Sequence, residues 1–292
     1  MIISKKIILI NFGLITSLSL FNNNLAYSLI PNVYEPNIEE LKSTGKKIGI
    51  TAAQLLYFGE TKKARSLIDL AIKLNPSDDY LWSILTDIEI ESENLIAAKD
   101  SLKRAKKINP NNALYWFKEG SIYFQENRIA ESIKAIEKGL SIDPKNSGAY
   151  FQLGNSKLVI KKFNRALIAF EKASAIEPNF WQAINNQALV LFEQGKKEKA
   201  IILWEKAIKI KNDPEPMLAL AVANYENNND NDNSIKIAKK ALLENPNYVL
   251  AIHQKEQLWG EKLRKATANL FKDPKMSTSV TKALKQANLN KK

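Results

Sequence analysis

The stretch YFQLGNSKLVIKKFNRALIAFEKASAIEP, Tyr150 to Pro178, decides how the rest of the chain is read. Leu153 and Gly154 lie near its start, Ala166, Phe170 and Ala173 follow, and a proline closes it, so small and large apolar residues recur at helical spacings. The same types return at intervals of 34 residues on either side. Prolines stand at Pro76, Pro110, Pro144, Pro178 and Pro246, and Asn212 fills the gap in the series. Five residues before these positions stand Ala71, Ala105, Gly139, Ala173, Ala207 and Ala241; twelve before stand Ala64, Ala98, Ser132, Ala166, Ala200 and Ser234. Eight before stand Ile68, Leu102, Ile136, Phe170, Trp204 and Ala238, large in every unit but the last. Small residues are needed where two helices approach closely, and large apolar ones fill the gaps between them. Proline ends the second helix of each unit. Helices of about 14 residues are marginal alone, so stacking on neighbours must supply the stability.

The spacing resembles the tetratricopeptide-repeat (TPR) pattern of an aromatic residue, Leu-Gly, Tyr, Ala, a large apolar residue and Pro. Its fullest forms are Trp116, Gly120, Tyr123 and Pro144, and Tyr150, Leu153, Gly154, Ala166, Phe170, Ala173 and Pro178. The resemblance implies an all-α, right-handed superhelix of six helix-turn-helix hairpins, at 45–78, 79–112, 113–146, 147–180, 181–214 and 215–248. Departures are Glu89 and Lys157 where the family has apolar residues, Asn212 in place of proline, and the Asn/Asp run 227–233, which is expected to lengthen the sixth turn at the expense of its helices. Periodicity through Ile252, Leu258, Trp259, Leu263 and Leu270 predicts one capping helix over 249–271. Asp273-Pro274 then leads into 272–292, expected to be a basic, flexible tail, and 29–44, with Pro31 and Pro36, is expected to be a linker.

Residues 1–28 place Lys5 and Lys6 before an apolar run from Ile7 to Phe21, followed by Asn22 to Asn24 and Ala26-Tyr27-Ser28. This is the order of a signal peptide, and an uncleaved membrane anchor is the alternative. Fifteen helical residues reach about 22 Å, short of the roughly 30 Å hydrocarbon core. Both readings export residues 29–292, to a thylakoid lumen or a periplasm. The formal charge is +12. More than half of the excess lies in 249–292, which carries ten Lys and Arg against three Asp and Glu, so the repeats are only mildly basic. The tail would suit an anionic membrane surface or a solvated end equally. Export and mildly basic repeats argue against nucleic acid.

Chemistry is scarce. The chain has no Cys and one His, His253, which excludes disulfides, thiolate nucleophiles and metal sites built from several such ligands. No Gly-rich phosphate loop is present, and no cofactor, small-molecule substrate or catalytic residue is expected. In TPR folds the first helix of each hairpin lines a concave groove. Carried onto this sequence, the stripe holds Tyr80, Ser83 and Asp87, then Phe117, Ser121 and Phe124, then Phe151, Asn155 and Leu158, then Gln182, Asn185 and Leu189. Aromatic rings and amides in such a stripe fit an extended partner segment, with packing inside the fold as the competing role for each ring. Gly49, Ala53, Leu114 and Gly148 stand where a carboxylate-gripping clamp would need Lys, Arg or Asn. The expectation is a non-catalytic protein-binding scaffold or assembly factor whose partner is a protein, such as a membrane-complex subunit. A hydrophobic N-terminus followed by TPRs loosely resembles assembly factors of photosynthetic complexes in cyanobacteria and plastids. An envelope scaffold for cell-wall or outer-membrane machinery, and an accessory subunit of an enzyme, are the alternatives.

Overall fold

A computed structural model describes residues 36–227 and 231–289, and the leader reading of 1–28 lies outside them. The first helices of the six hairpins are α1 (Ile38–Tyr57), α3 (Asp79–Glu91), α5 (Ala113–Gln125), α7 (Ser147–Val159), α9 (Trp181–Glu193) and α11 (Pro214–Glu226). Their partners are α2 (Thr61–Leu74), α4 (Leu95–Ile108), α6 (Ile129–Ile142), α8 (Phe163–Ile176), α10 (Lys197–Ile210) and α12 (Asn231–Glu244). Each partner helix has 14 residues and starts 34 after the one before. The arrangement is all-α and superhelical, with no strand among the described residues. None of their helices is long and apolar enough to cross a membrane.

The starts of α3, α5, α7 and α11 are fixed by Asp78, Asn112, Asn146 and Asp213, whose side chains accept from backbone N–H groups of the first turn. Inside the hairpins the small residues do what their spacing implies. The Phe170 ring lies where any side chain at Gly154 would stand, and Ala64, Ala98, Ala166, Ala200 and Ala238 are wholly buried. Glu89, polar where the family is apolar, is buried and paired with Arg65. Lys157 reaches Glu137 at 3.4 Å.

Several expectations are corrected. Part of the linker is helix: α1 begins at Ile38, where the Asn37 side chain accepts from the Glu39 N–H. The Asn/Asp run costs α12 nothing, because 231–233 form its first turn and Asn and Asp serve at helix starts. The single cap over 249–271 is broken. A 3-10 turn (Pro246–Val249) precedes α13 (Ala251–Glu256), the chain turns at 257–260, and α14 (Glu261–Phe271) follows. Leu258 takes a φ of +63° in that turn. The tail is not flexible over its described part: α15 (Ser277–Leu289) buries Ala283 and Ala287 and packs on α12 and the 3-10 turn, covering the end of the solenoid. Alanines at 283 and 287 give that helix a buried stripe too small to register as hydrophobic in composition.

Candidate functional site

Successive first helices pack on one another, α1 on α3, α3 on α5 and α5 on α7, which puts them on the inner side of the superhelix. This face is tied together by a ladder of pairs 31 residues apart. Lys118 pairs with Asp87, Gln152 Nε2 donates to Ser121 Oγ at 3.0 Å, and Asn186 Nδ2 donates to Asn155 Oδ1 at 2.9 Å. The same register sets Ala53 against Ile84 and Leu189 against Leu220, all apolar and each pair belonging to one core cluster. Three of the expected groove residues, Asp87, Ser121 and Asn155, are therefore engaged by the next hairpin.

Two others belong to the core. Phe117 is 6% exposed, its ring seated over Gly139 on α6. Asn185 is 1% exposed; its Nδ2 donates to Glu215 Oε1 at 3.0 Å and to Asn186 Oδ1 at 3.1 Å, and its Oδ1 accepts from Trp204 Nε1 at 3.0 Å. Both corrections have one cause. The helix that lines the groove also contacts its own partner and the next unit, and this register turns partly toward them. Ser83, Leu158 and Leu189 are buried for the same reason. Phe151 is half-buried and leans on Phe170 and Phe180, with centroids 5.8 and 5.1 Å away. Gln182 is half-buried in the first turn of α9.

Tyr80 and Phe124 remain open to solvent, the first exposed and the second half-buried. Phe124 walls a cavity of about 170 Å³ shared with Ser121, Gln152 and Asn155. Gln152 Oε1 is buried without a hydrogen-bond partner. Asn155 accepts through Oδ1 and retains its Nδ2 as a donor. An aromatic ring and the side chains of Ser121, Gln152 and Asn155, which can donate and accept hydrogen bonds, thus line one small space. Gln152 and Lys118 were missed in the sequence. Their signal was the recurrence of polar residues at 118, 152 and 186, one position per unit on the inner helices.

Toward the C-terminus the inner face is occupied. Helix α14 lies against α9 and α11. Glu193 carboxylate oxygens accept from the N–H groups of Leu263 (3.0 Å) and Lys262 (3.2 Å), and Trp259 Nε1 donates to Glu215 Oε1 at 3.1 Å. A Cβ at Gly260 would overlap the Glu193 carboxylate and push it off the N–H groups of α14. His253 sits edge-on to Tyr248 at 4.7 Å, with burial holding its pKa below the usual value, and it joins no cluster. No group of three or more His, Asp or Glu able to hold a metal occurs among the described residues.

Residues 113–146 and 151–216 match family models described as tetratricopeptide repeat. The matched stretches fall on the third to fifth hairpins and the start of the sixth, within a series of six that keeps one 34-residue period. The fold is similar to that of PilF from Pseudomonas aeruginosa, at 16% identity and a TM-score of 0.61 over 80% of this chain and 99% of that one. It is also similar to PilW, described as a widely conserved type IV pilus biogenesis factor, at 19% identity and 0.59 over 76% and 97%. A thermophilic TPR protein of Thermus thermophilus shares 16% identity and scores 0.54 over 61% and 98%. At these identities the likeness is one of fold. No curated protein sequence matches the chain.

Proposed function

We propose that this non-catalytic scaffold is exported and holds an extended segment of a partner protein against the inner face of its second to fourth hairpins. The observation that carries the reading is the cavity beside Phe124, whose lining of one ring with Ser121, Gln152 and Asn155 offers apolar surface and hydrogen-bonding side chains to an extended segment. Tyr80, exposed in the first turn of α3, supplies a second apolar contact. The N-terminal order of Lys5, Lys6 and an apolar run supports export. A subunit of a membrane complex is the partner class that fits this address, with photosynthetic complexes as the case suggested by the arrangement of the sequence.

The test is affinity capture from native membranes with the parent, Tyr80→Ala, Phe124→Ala and Gln152→Ala. Truncating an interface anchor costs on the order of 2 kcal/mol, roughly thirtyfold in affinity. Capture should fall in all three; Tyr80→Ala and Phe124→Ala should melt near the parent, whereas Gln152→Ala also loses its hydrogen bond to Ser121 and should melt lower. Undiminished capture by all three would remove the groove from consideration. Intact mass of the native material tests export, with a mature chain beginning near Leu29 as the expected result.

A further inference from the structure

The turn at 257–260 and the start of α14 form a second concavity with the turn joining α7 to α8, a cleft of about 600 Å³. This lies within the ~300–1,000 Å³ range of ligand-sized sites. Its floor is apolar: Leu258 packs with Leu158 and Phe163. Leu258 holds a left-handed φ of +63°, a conformation that costs a bulky residue energy and persists only when its surroundings enforce it. They do so here. Trp259 is anchored to Glu215 and packs tilted against Tyr248 with centroids 5.6 Å apart, while Glu193 fixes the first turn of α14. The walls are formed before any ligand arrives.

The rim is cationic. Lys161, Lys255, Lys262 and Lys265 are exposed and Arg264 is half-buried. The lining carboxylates are Glu193 and Glu261. Glu193 is spent on the backbone of α14, and Glu261 is paired with Lys265 at 2.6 Å. Lys255 and Lys262 form no ion pair among the described residues, Lys161 lies in the field of Glu261, and Lys162 and Arg165 continue the positive surface around Phe163. Because the floor is largely aliphatic, it offers no run of exposed rings for stacking bases, which favours a protein ligand over single-stranded nucleic acid.

We infer that this cleft receives an acidic amphipathic segment of a partner protein, its apolar side chains on Leu158, Phe163 and Leu258 and its carboxylates on Lys161, Lys255 and Lys262. The inference rests on the scaffold reading above and adds a second, charge-selective contact formed by the C-terminal arm.

The test uses the whole chain and a fluorescein-labelled peptide of about 14 residues, ~20 Å as a helix, with Leu at three- and four-residue spacing and Glu between. Fluorescence anisotropy should show saturable binding that weakens about tenfold or more in the Lys255→Glu/Lys262→Glu double variant, weakens with added salt, and persists in Phe124→Ala. Both lysines are exposed, so the variant should melt with the parent. Failure of the peptide to bind, equal binding of its Lys-for-Glu counterpart, an unchanged affinity in the double variant, or tighter binding of oligouridylate would each overturn the inference. Capture insensitive to Tyr80, Phe124 and Gln152 would overturn the groove reading alone, so the two fail separately.

Discussion

Glu215 shows how one residue can tie the arm to the repeats. Burial pushes its pKa up to about 7, against hydrogen bonds from Trp259 and Asn185 that favour the charged form. A carboxyl whose folded pKa exceeds its unfolded value is most stabilising when protonated. Its contribution is fully present below the ordinary glutamate range and lost as pH rises through about 7, a difference of roughly 3 kcal/mol. His253, held low by burial, works in the opposite direction, so the comparison must be made against Glu215→Gln. In thermal melts the parent should lose more stability than Glu215→Gln between pH 5 and about 8; parallel curves would show that the carboxyl is already well solvated. Phe117 gives a second test at this scale. Seated over Gly139 and packed with Ile136 and Leu153, it should lose ~3–5 kcal/mol on Phe117→Ala, far more than Phe124→Ala. The sequence placed both rings in the same stripe and had no means of separating them.

Each of the first five hairpins turns through one left-handed residue: Gly59, Glu93, Asn127, Lys161 and Gly195 have φ between +55° and +80° in the same register. Two of them are glycines and one is asparagine, the types for which this region costs least. Glu93 is neither, and Glu93→Gly should raise stability by about 1 kcal/mol, measured by denaturant melts. A neutral or negative result would mean that the side chain contributes packing to the turn. Leu258 is the opposite case, since Leu258→Gly would relax the backbone but strip the floor on which Leu158 and Phe163 rest.

Across the molecule, neighbouring hairpins are joined by the inner ladder and by core clusters that bridge units, so stability is expected to pass from neighbour to neighbour. The last hairpin has no following unit. Helix α15 supplies a substitute on α12, and α14 supplies another on α9 and α11. Deleting 277–292, which would be silent for a solvated tail, should therefore lower the melting temperature by several degrees, on the order of 2 kcal/mol of lost burial. An unchanged melt would show that α15 is docked without contributing to the fold.

Residue spacing alone carried the helix count of the repeats, their 34-residue period and the small residues at the close contacts, because each depends on spacing within one hairpin. It also placed Tyr80 and Phe124 on the inner helices. Which inner residues remain open is set by how the hairpins stack. The ladder joins positions 31 apart rather than 34, an offset produced by the stacking of one unit on the next and invisible in a single repeat. The arm was legible as helix and not as architecture. Its course over α9 and α11 depends on Glu193 meeting Leu263 and on Glu215 meeting Trp259, contacts between residues 70 and 44 apart in sequence, and local periodicity carries no information about which distant surface an apolar face will find.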